Sequence, residues 1–220
     1  LKIKPIEAFK NLFSDRSYHV ERFISEEFRK KLIEILKKDR YDIVQLEMIY
    51  MAPYIETIRE HSKALIVLRA HNVEHLIWDR IAKKTNFLPK KWYLNHLVRT
   101  LRDYELNAIN KVDGIAAITY RDAAFFRGET AVPVIDIPFG VNPEEFTPTY
   151  KVNDNPTLYH IGSMNWMPNE EGIRWFLKNV WDKLREREPE IKLNLAGRHM
   201  PKWLMNLKKN NVKVWGEVPD

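Results

Sequence analysis

The sequence contains no cysteine in its 220 residues, which excludes a disulfide framework, thiolate nucleophiles and cysteine-ligated metals. It has no apolar run near the ~20 residues a membrane-spanning helix needs, and nothing with the order of a signal peptide. These absences fit a cytoplasmic protein. Several catalytic signatures are missing as well. There is no His-Glu-x-x-His, no Gly-x-Ser-x-Gly, no Gly-x-Gly-x-x-Gly and no Walker A Gly-Lys-Ser/Thr, so the chemistry tied to each has no anchor. Low-complexity tracts and short repeats are also lacking. The aromatics fall at core spacing rather than in a stacking strip, and no nucleic-acid partner is expected.

The chain is 45% hydrophobic with seven Trp and ten Phe, enough for one large or two modest cores and unlike a disordered chain. Its formal net charge of +6 directs attention to acidic partners: nucleotide diphosphates, anionic lipid headgroups, nucleic acid. Much of that charge is interleaved with acids. Arg29, Lys30 and Lys31 sit beside Glu26, Glu27 and Glu34, the pattern of a solvated helix face.

Along the chain, apolar β-branched runs alternate with amphipathic helices. Ser25 is a good N-cap for a helix carrying Phe28, Leu32, Ile35 and Leu36 at helical spacing. Strands are expected at 41–46, 64–68, 115–118 and 134–137, with helices at 53–61, 74–83, 90–110 and 120–126. The stretch Pro138 to Pro156, with four prolines, Gly140 and a polar run at 151–155, reads as a linker. After it the alternation resumes: strands at 157–161, 191–196 and 212–215, helices at 169–188 and 202–209. The fold class expected is α/β, with two Rossmann-like parallel-sheet lobes, both incomplete. Residues 1–140 make the first lobe, 141–156 the linker and 157–220 the start of the second. The chain opens at Leu1 and ends at Asp220 just after a strand-like segment, so both ends read as cuts.

Ligands of open α/β sheets bind outside the carboxyl ends of the strands, and that rule selects four places. Arg69-Ala70-His71-Asn72-Val73-Glu74 follows a buried strand; it suits either a polar site or a helix start capped by Asn72. Gly162-Ser163-Met164-Asn165 precedes a long helix, where a Gly admits close backbone approach and the helix N-terminus favours an anion. The alternative is an ordinary strand-to-helix turn capped by Asn165 or Asn169. Gly197-Arg198-His199 places an Arg where it can pair two phosphate oxygens or simply face solvent. Gly140 would permit a positive-φ turn in the linker. His71 and His75 have i, i+4 spacing, but stacked His at a helix start are more often structural, and no metal site is expected.

Taken together these places resemble the retaining GT-B glycosyltransferases of family 4, the group 1 glycosyltransferases. The most specific stretch is Gly162-Ser163-Met164-Asn165-Trp166-Met167-Pro168-Asn169-Glu170-Glu171-Gly172, similar to the Gly-Ser-Met-x-Trp-x-Pro-Asn-x-x-Gly pattern of one branch. Gly197 to Pro201 resembles its Gly-Arg-x-x-Pro, and Val214 to Asp220 its Val-x-Gly-x-Val-x-Asp. Upstream, Arg69 to Glu74 resembles a His-Asn-x-Glu motif. Pro138-Phe139-Gly140-Val141-Asn142 with Phe146 and Pro148 resembles the hinge between domains. The match runs from about Tyr41 onward in the family's order.

The resemblance implies a hexosyltransferase-type enzyme that moves a sugar from a UDP- or GDP-sugar to an acceptor with retention, without a cofactor. The pathway implied is bacterial surface polysaccharide synthesis, with a glycan or lipid-linked acceptor. Gly162, Ser163, Met164, Asn165 and Arg198 would face the diphosphate; His71, with Asn72 and Glu74, would be catalytic near the donor sugar. Many members carry an Arg and a Lys after the Gly, where Ser163 and Asn169 fall here. The family's first strand would precede Leu1 and its donor-holding Glu-x₇-Glu region would follow Asp220, so this piece alone is expected to be inactive. Lys83-Lys84 and Lys90-Lys91 could touch an anionic membrane peripherally. The rival readings are a nucleotide-sugar epimerase of the same fold, with Glu74 as a general acid/base, and a non-catalytic basic binding module.

Overall fold

Ser25 begins the first long helix of the computed structural model, which describes residues 16–145 and 155–219. Its hydroxyl accepts the Phe28 N–H, as its N-cap position demands. The hinge residues Phe146 and Pro148, the polar run 151–154 and Asp220 lie outside the described residues. The chain divides into two compact units that part between Val141 and Asn142.

In the first unit a short helix, α1 (Tyr18–Glu21), precedes α2 (Glu26–Lys38). The core strands and helices follow as β1 (Ile43–Glu47), a 3₁₀ turn at Ile49–Tyr54, α3 (Ile55–His61) and β2 (Leu65–Ala70). Next come α4 (Glu74–Lys84), α5 (Leu88–Ala108), β3 (Gly114–Ala117), α6 (Tyr120–Glu129) and β4 (Val134–Asp136). All four strands are parallel, in the order β1-β2-β3-β4. Ile66 and Leu68 from β2, Ile115 from β3, Ile58 from α3 and Phe126 from α6 meet in the main core. Each such side chain contributes roughly 1.5–3 kcal/mol by leaving water.

A separate cluster closes the α4–α5 hairpin. Tyr18, Ala82, Leu94 and Leu97 are buried there, with Trp78, Ile81, Tyr93 and Val98 packed against them. His19 adds its ring to Trp78, with centroids 4.1 Å apart.

The second unit contains β5 (Thr157–Ile161), α7 (Met167–Asn179), α8 (Trp181–Arg187), β6 (Lys192–Ala196), α9 (Lys202–Met205) and β7 (Val212–Gly216). Its parallel sheet has the order β5-β6-β7. The single helix expected at 169–188 is two helices, broken at Val180. Trp181, the first residue after the break, is fully buried, and its indole N–H donates to the Asn210 carbonyl. The helix expected at 202–209 is one turn only.

Burial, reinforced by the Arg22 guanidinium, pushes the His19 imidazole from 6.5 down to about 4. The unfolded chain therefore binds more protons between those two values, and the first unit loses stability as pH falls through that window. Urea titrations at about pH 7 and about pH 5 should show a smaller acid loss for His19→Phe than for the parent. Equal losses would mean His19 does not titrate as described.

Candidate functional sites

In the first unit the polar residues gather where β1 and β2 end. β2 runs two residues past the expected Leu68, so Arg69 and Ala70 are strand residues paired with Ala116 and Ala117 of β3. His71 comes next. Its Nε2 lies 2.8 Å from the Glu47 carboxylate, at the end of β1. A carboxylate can only accept, so that nitrogen carries a proton. The same hydrogen bond holds the Glu47 carboxyl below the usual range. Phe139 meets the His71 ring edge-on at 5.6 Å, and the Arg69 guanidinium lies over the same phenyl ring at 5.4 Å. Beside them Met48 has φ 71° and ψ 157°, a region nearly reserved for glycine that costs on the order of 1–3 kcal/mol.

Asn72 does not cap α4. The N-cap is Val73, with no side-chain bond. The cap comes from a residue that sequence reading missed. Glu105 of α5 is 1% exposed. Its carboxylate accepts the Glu74 N–H at 3.0 Å, the His75 N–H at 3.2 Å and His75 Nδ1 at 2.6 Å. A buried carboxylate at a helix N-terminus satisfies donors left open there and complements the helix dipole. The clue was available: Glu105 lies on the apolar stripe Leu94, Leu97, Leu101, Ala108 of α5.

Glu74 is buried too, and the Tyr50 hydroxyl donates to its Oε2 at 2.9 Å. Burial pushes its carboxyl up; the Tyr50 bond opposes this, nearby Glu105 adds to it, and Asn72 and His71 oppose it. Of the residues singled out in this turn, His71 has its ring against Phe139 in a partly open cluster, whereas Glu74 is buried. The His71–His75 pair is not a helical pair. His71 precedes α4 and bonds Glu47, whereas His75 lies in its first turn and bonds Glu105.

In the second unit the ends of β5, β6 and β7 surround an open cavity of about 800 Å³, lined by Ile161, Gly162, Ser163, Gly197, Arg198, Glu217, Val218 and Pro219. Three separate sequence motifs therefore converge on one edge. Gly162 and Gly197 touch through their backbones: Gly197 has φ 135°, and a Cβ there would stand 2.0 Å from the Gly162 carbonyl oxygen. Gly140 does not use the positive φ it would permit; the glycines with positive φ are Gly197 and Gly216.

The Gly162 loop is tied down from within. The Ser163 hydroxyl donates to Asn165 Oδ1, and the Asn169 amide donates to the Ser163 carbonyl. Neither Asn165 nor Asn169 caps α7, whose N-cap Trp166 makes no side-chain bond. Met164 differs from the diphosphate contact expected of it. Its side chain is in the core, and its N–H donates to the Arg198 carbonyl at 2.9 Å. Arg198 is 71% exposed and donates through Nε to Glu217 at 2.9 Å.

Residues 155–220 match a family model described as Glycosyl transferases group 1. No curated protein gives a significant match. Among solved structures, a UDP-forming α,α-trehalose-phosphate synthase from Burkholderia xenovorans aligns over 87% of this chain and 51% of its own, at 15% identity and a TM-score of 0.52. An α,α-trehalose 6-phosphate synthase from Burkholderia multivorans aligns over 94% of this chain and 56% of its own, at 12% identity and a TM-score of 0.51. The chain therefore spans about half the length of these structures. The likeness establishes the fold: α/β, with two parallel sheets, matching part of a GT-B glycosyltransferase.

Two outcomes follow from these geometries. Gly197→Ala should destabilise the second unit by at least about 2 kcal/mol, because φ and the Gly162 backbone both reject a methyl group; urea unfolding with Trp fluorescence reads it. For Glu74 the sign is the reverse of a salt-bridged acid. Its folded carboxyl binds protons more tightly than the unfolded one, so ionising it costs stability as pH rises through and above the ordinary value of 4.5. Glu74→Gln should therefore gain stability relative to the parent at about pH 8 compared with about pH 4. A difference that does not change with pH would contradict the burial argument.

Proposed function

We propose that the chain is part of a retaining glycosyltransferase that takes a hexose from a UDP- or GDP-sugar and passes it to a glycan or lipid-linked acceptor, in bacterial surface polysaccharide synthesis. The observation that carries this reading is the convergence of the Gly162 loop, Arg198 and the Gly197 contact around one cavity, inside the segment that matches the family. Residues 157–220 are assigned to the nucleotide-sugar side, 1–140 to the acceptor side and 141–156 to the linker. No cofactor enters the reaction.

The chemical demand is specific. The bond from the anomeric carbon to the diphosphate breaks with the electron pair leaving on the phosphate oxygen, while the sugar gains oxocarbenium character. Fixed positive charge at the departing phosphate is then worth more in the transition state than in the bound donor. Arg198 supplies a planar guanidinium whose Nη groups have no bond among the described residues, and such a fork suits two phosphate oxygens. The α7 N-terminus, without a side-chain cap, adds a favourable dipole. Gly162 and Ser163 form the wall against which a phosphate can approach the backbone.

On the acceptor side His71 is the group assigned to the substrate, with its ring fixed by Glu47. Asn72 and Glu74 act by holding that turn. Glu74, buried and bonded to Tyr50, suits this better than the general acid/base role an epimerase would ask of it.

Calorimetry against a panel of UDP- and GDP-sugars tests the proposal. Binding should require the diphosphate, and Arg198→Ala should weaken it about tenfold or more, the scale of a lost charge-assisted hydrogen bond. Binding unaffected by Arg198→Ala, or equal for nucleosides lacking phosphate, would remove the donor assignment.

A further inference from the structure

We infer that the tip of the α4–α5 hairpin is a docking surface for an anionic lipid bilayer. From Arg80 to Arg102 the chain holds seven Lys and Arg and no Asp or Glu, although the whole chain nets only +6. Lys83 of this stretch reaches back to an acid, Asp79, that lies just before the stretch on α4. At its centre the bend between the helices presents Phe87 at 68%, Leu88 at 76% and Trp92 at 65% exposure. Leu88 and Trp92 are four residues apart on α5 and share a face.

These apolar side chains are not left over from an unfinished core. The inner face of the hairpin already has its own cluster, with Trp78, Ile81, Tyr93, Leu94, Leu97 and Val98 packed together. Lys90 and Lys91, between Leu88 and Trp92, have no acidic partner among the described residues. Aromatic and leucine side chains ringed by lysine combine apolar insertion with attraction to anionic headgroups. Among the described residues no helix is long and apolar enough to cross a membrane, so the contact is peripheral.

The topology gives the tip its reach. Glu105 meets the start of α4, which leaves the carboxyl end of β2. Beyond Glu105, α5 runs on to the amino end of β3. The part of α5 before Glu105 therefore extends the other way, off the carboxyl edge where His71 lies. From Glu105 to Leu88 it measures about 25 Å at the α-helical rise. The tip can meet a flat surface before the sheet does.

The inference needs no catalysis and does not rest on the donor assignment. Co-sedimentation of the full 220-residue chain with phosphatidylcholine vesicles, with and without roughly 30 mol % phosphatidylglycerol, tests it at about 0.15 M salt. Binding should need the anionic lipid. The pair K90E/K91E and the triple F87S/L88S/W92S should each lower it about tenfold or more, while K37E/K38E on α2 should not. All of these side chains are exposed or on exposed faces, and unchanged circular dichroism confirms folding. Equal binding to neutral vesicles, no vesicle binding, or equal losses from K37E/K38E would overturn the inference. So would displacement from vesicles by a duplex RNA bound as tightly through the same residues, or self-association through the tip without vesicle binding.

Discussion

The buried carboxylate of Glu105 is the contact on which the first unit's functional edge depends. It fixes the start of α4 through three hydrogen bonds to Glu74 and His75. The chain from β2 to α4 is therefore set at both ends, by sheet pairing through Ala70 and by the carboxylate at Glu74. His71 and Asn72 lie on the short bridge between. Losing the carboxylate would leave its buried donors unsatisfied, a cost of roughly 1–3 kcal/mol for each such buried group. The same contact sets the level from which α5 continues outward, so one carboxylate defines both the turn and the hairpin.

The second unit reaches a comparable edge by another route. Steric fit replaces the buried carboxylate: two glycine backbones touch where β5 and β6 end, and at Gly197 only a residue without a Cβ permits it. Around that contact the loop bonds to itself through Ser163, Asn165 and Asn169, while Met164 anchors it in the core. The result is a rigid floor with a single long cation, Arg198, at its rim. Arg198 is held to Glu217 by a pair exposed enough to contribute little stability.

Much of this was legible beforehand. The strand at 157–161 is observed with the same bounds, and the Ser25 cap, the α/β alternation and the parallel sheets follow from local chemistry and periodicity. The motif segments Gly162–Asn165 and Gly197–His199 were recognisable because glycine and arginine at strand ends answer to specific backbone and phosphate requirements. The errors have a common origin. The Asn72 cap, the diphosphate role of Met164 and the unbroken helix over 169–188 were all local readings of positions that distant residues decide.

By itself the sequence determined which segments are strands and helices, where polar chemistry could sit, and that twenty-three residues from Arg80 to Arg102 carry charge of one sign. Periodicity, capping and charge count are properties of neighbours along the chain, so they can be read from it. Only the tertiary structure decided that Glu105 caps α4, that Gly162 and Gly197 share one contact, and that Phe87, Leu88 and Trp92 face outward. Each of these depends on which residues far apart in sequence are packed side by side, and hydrophobic burial sets that for a whole unit at once.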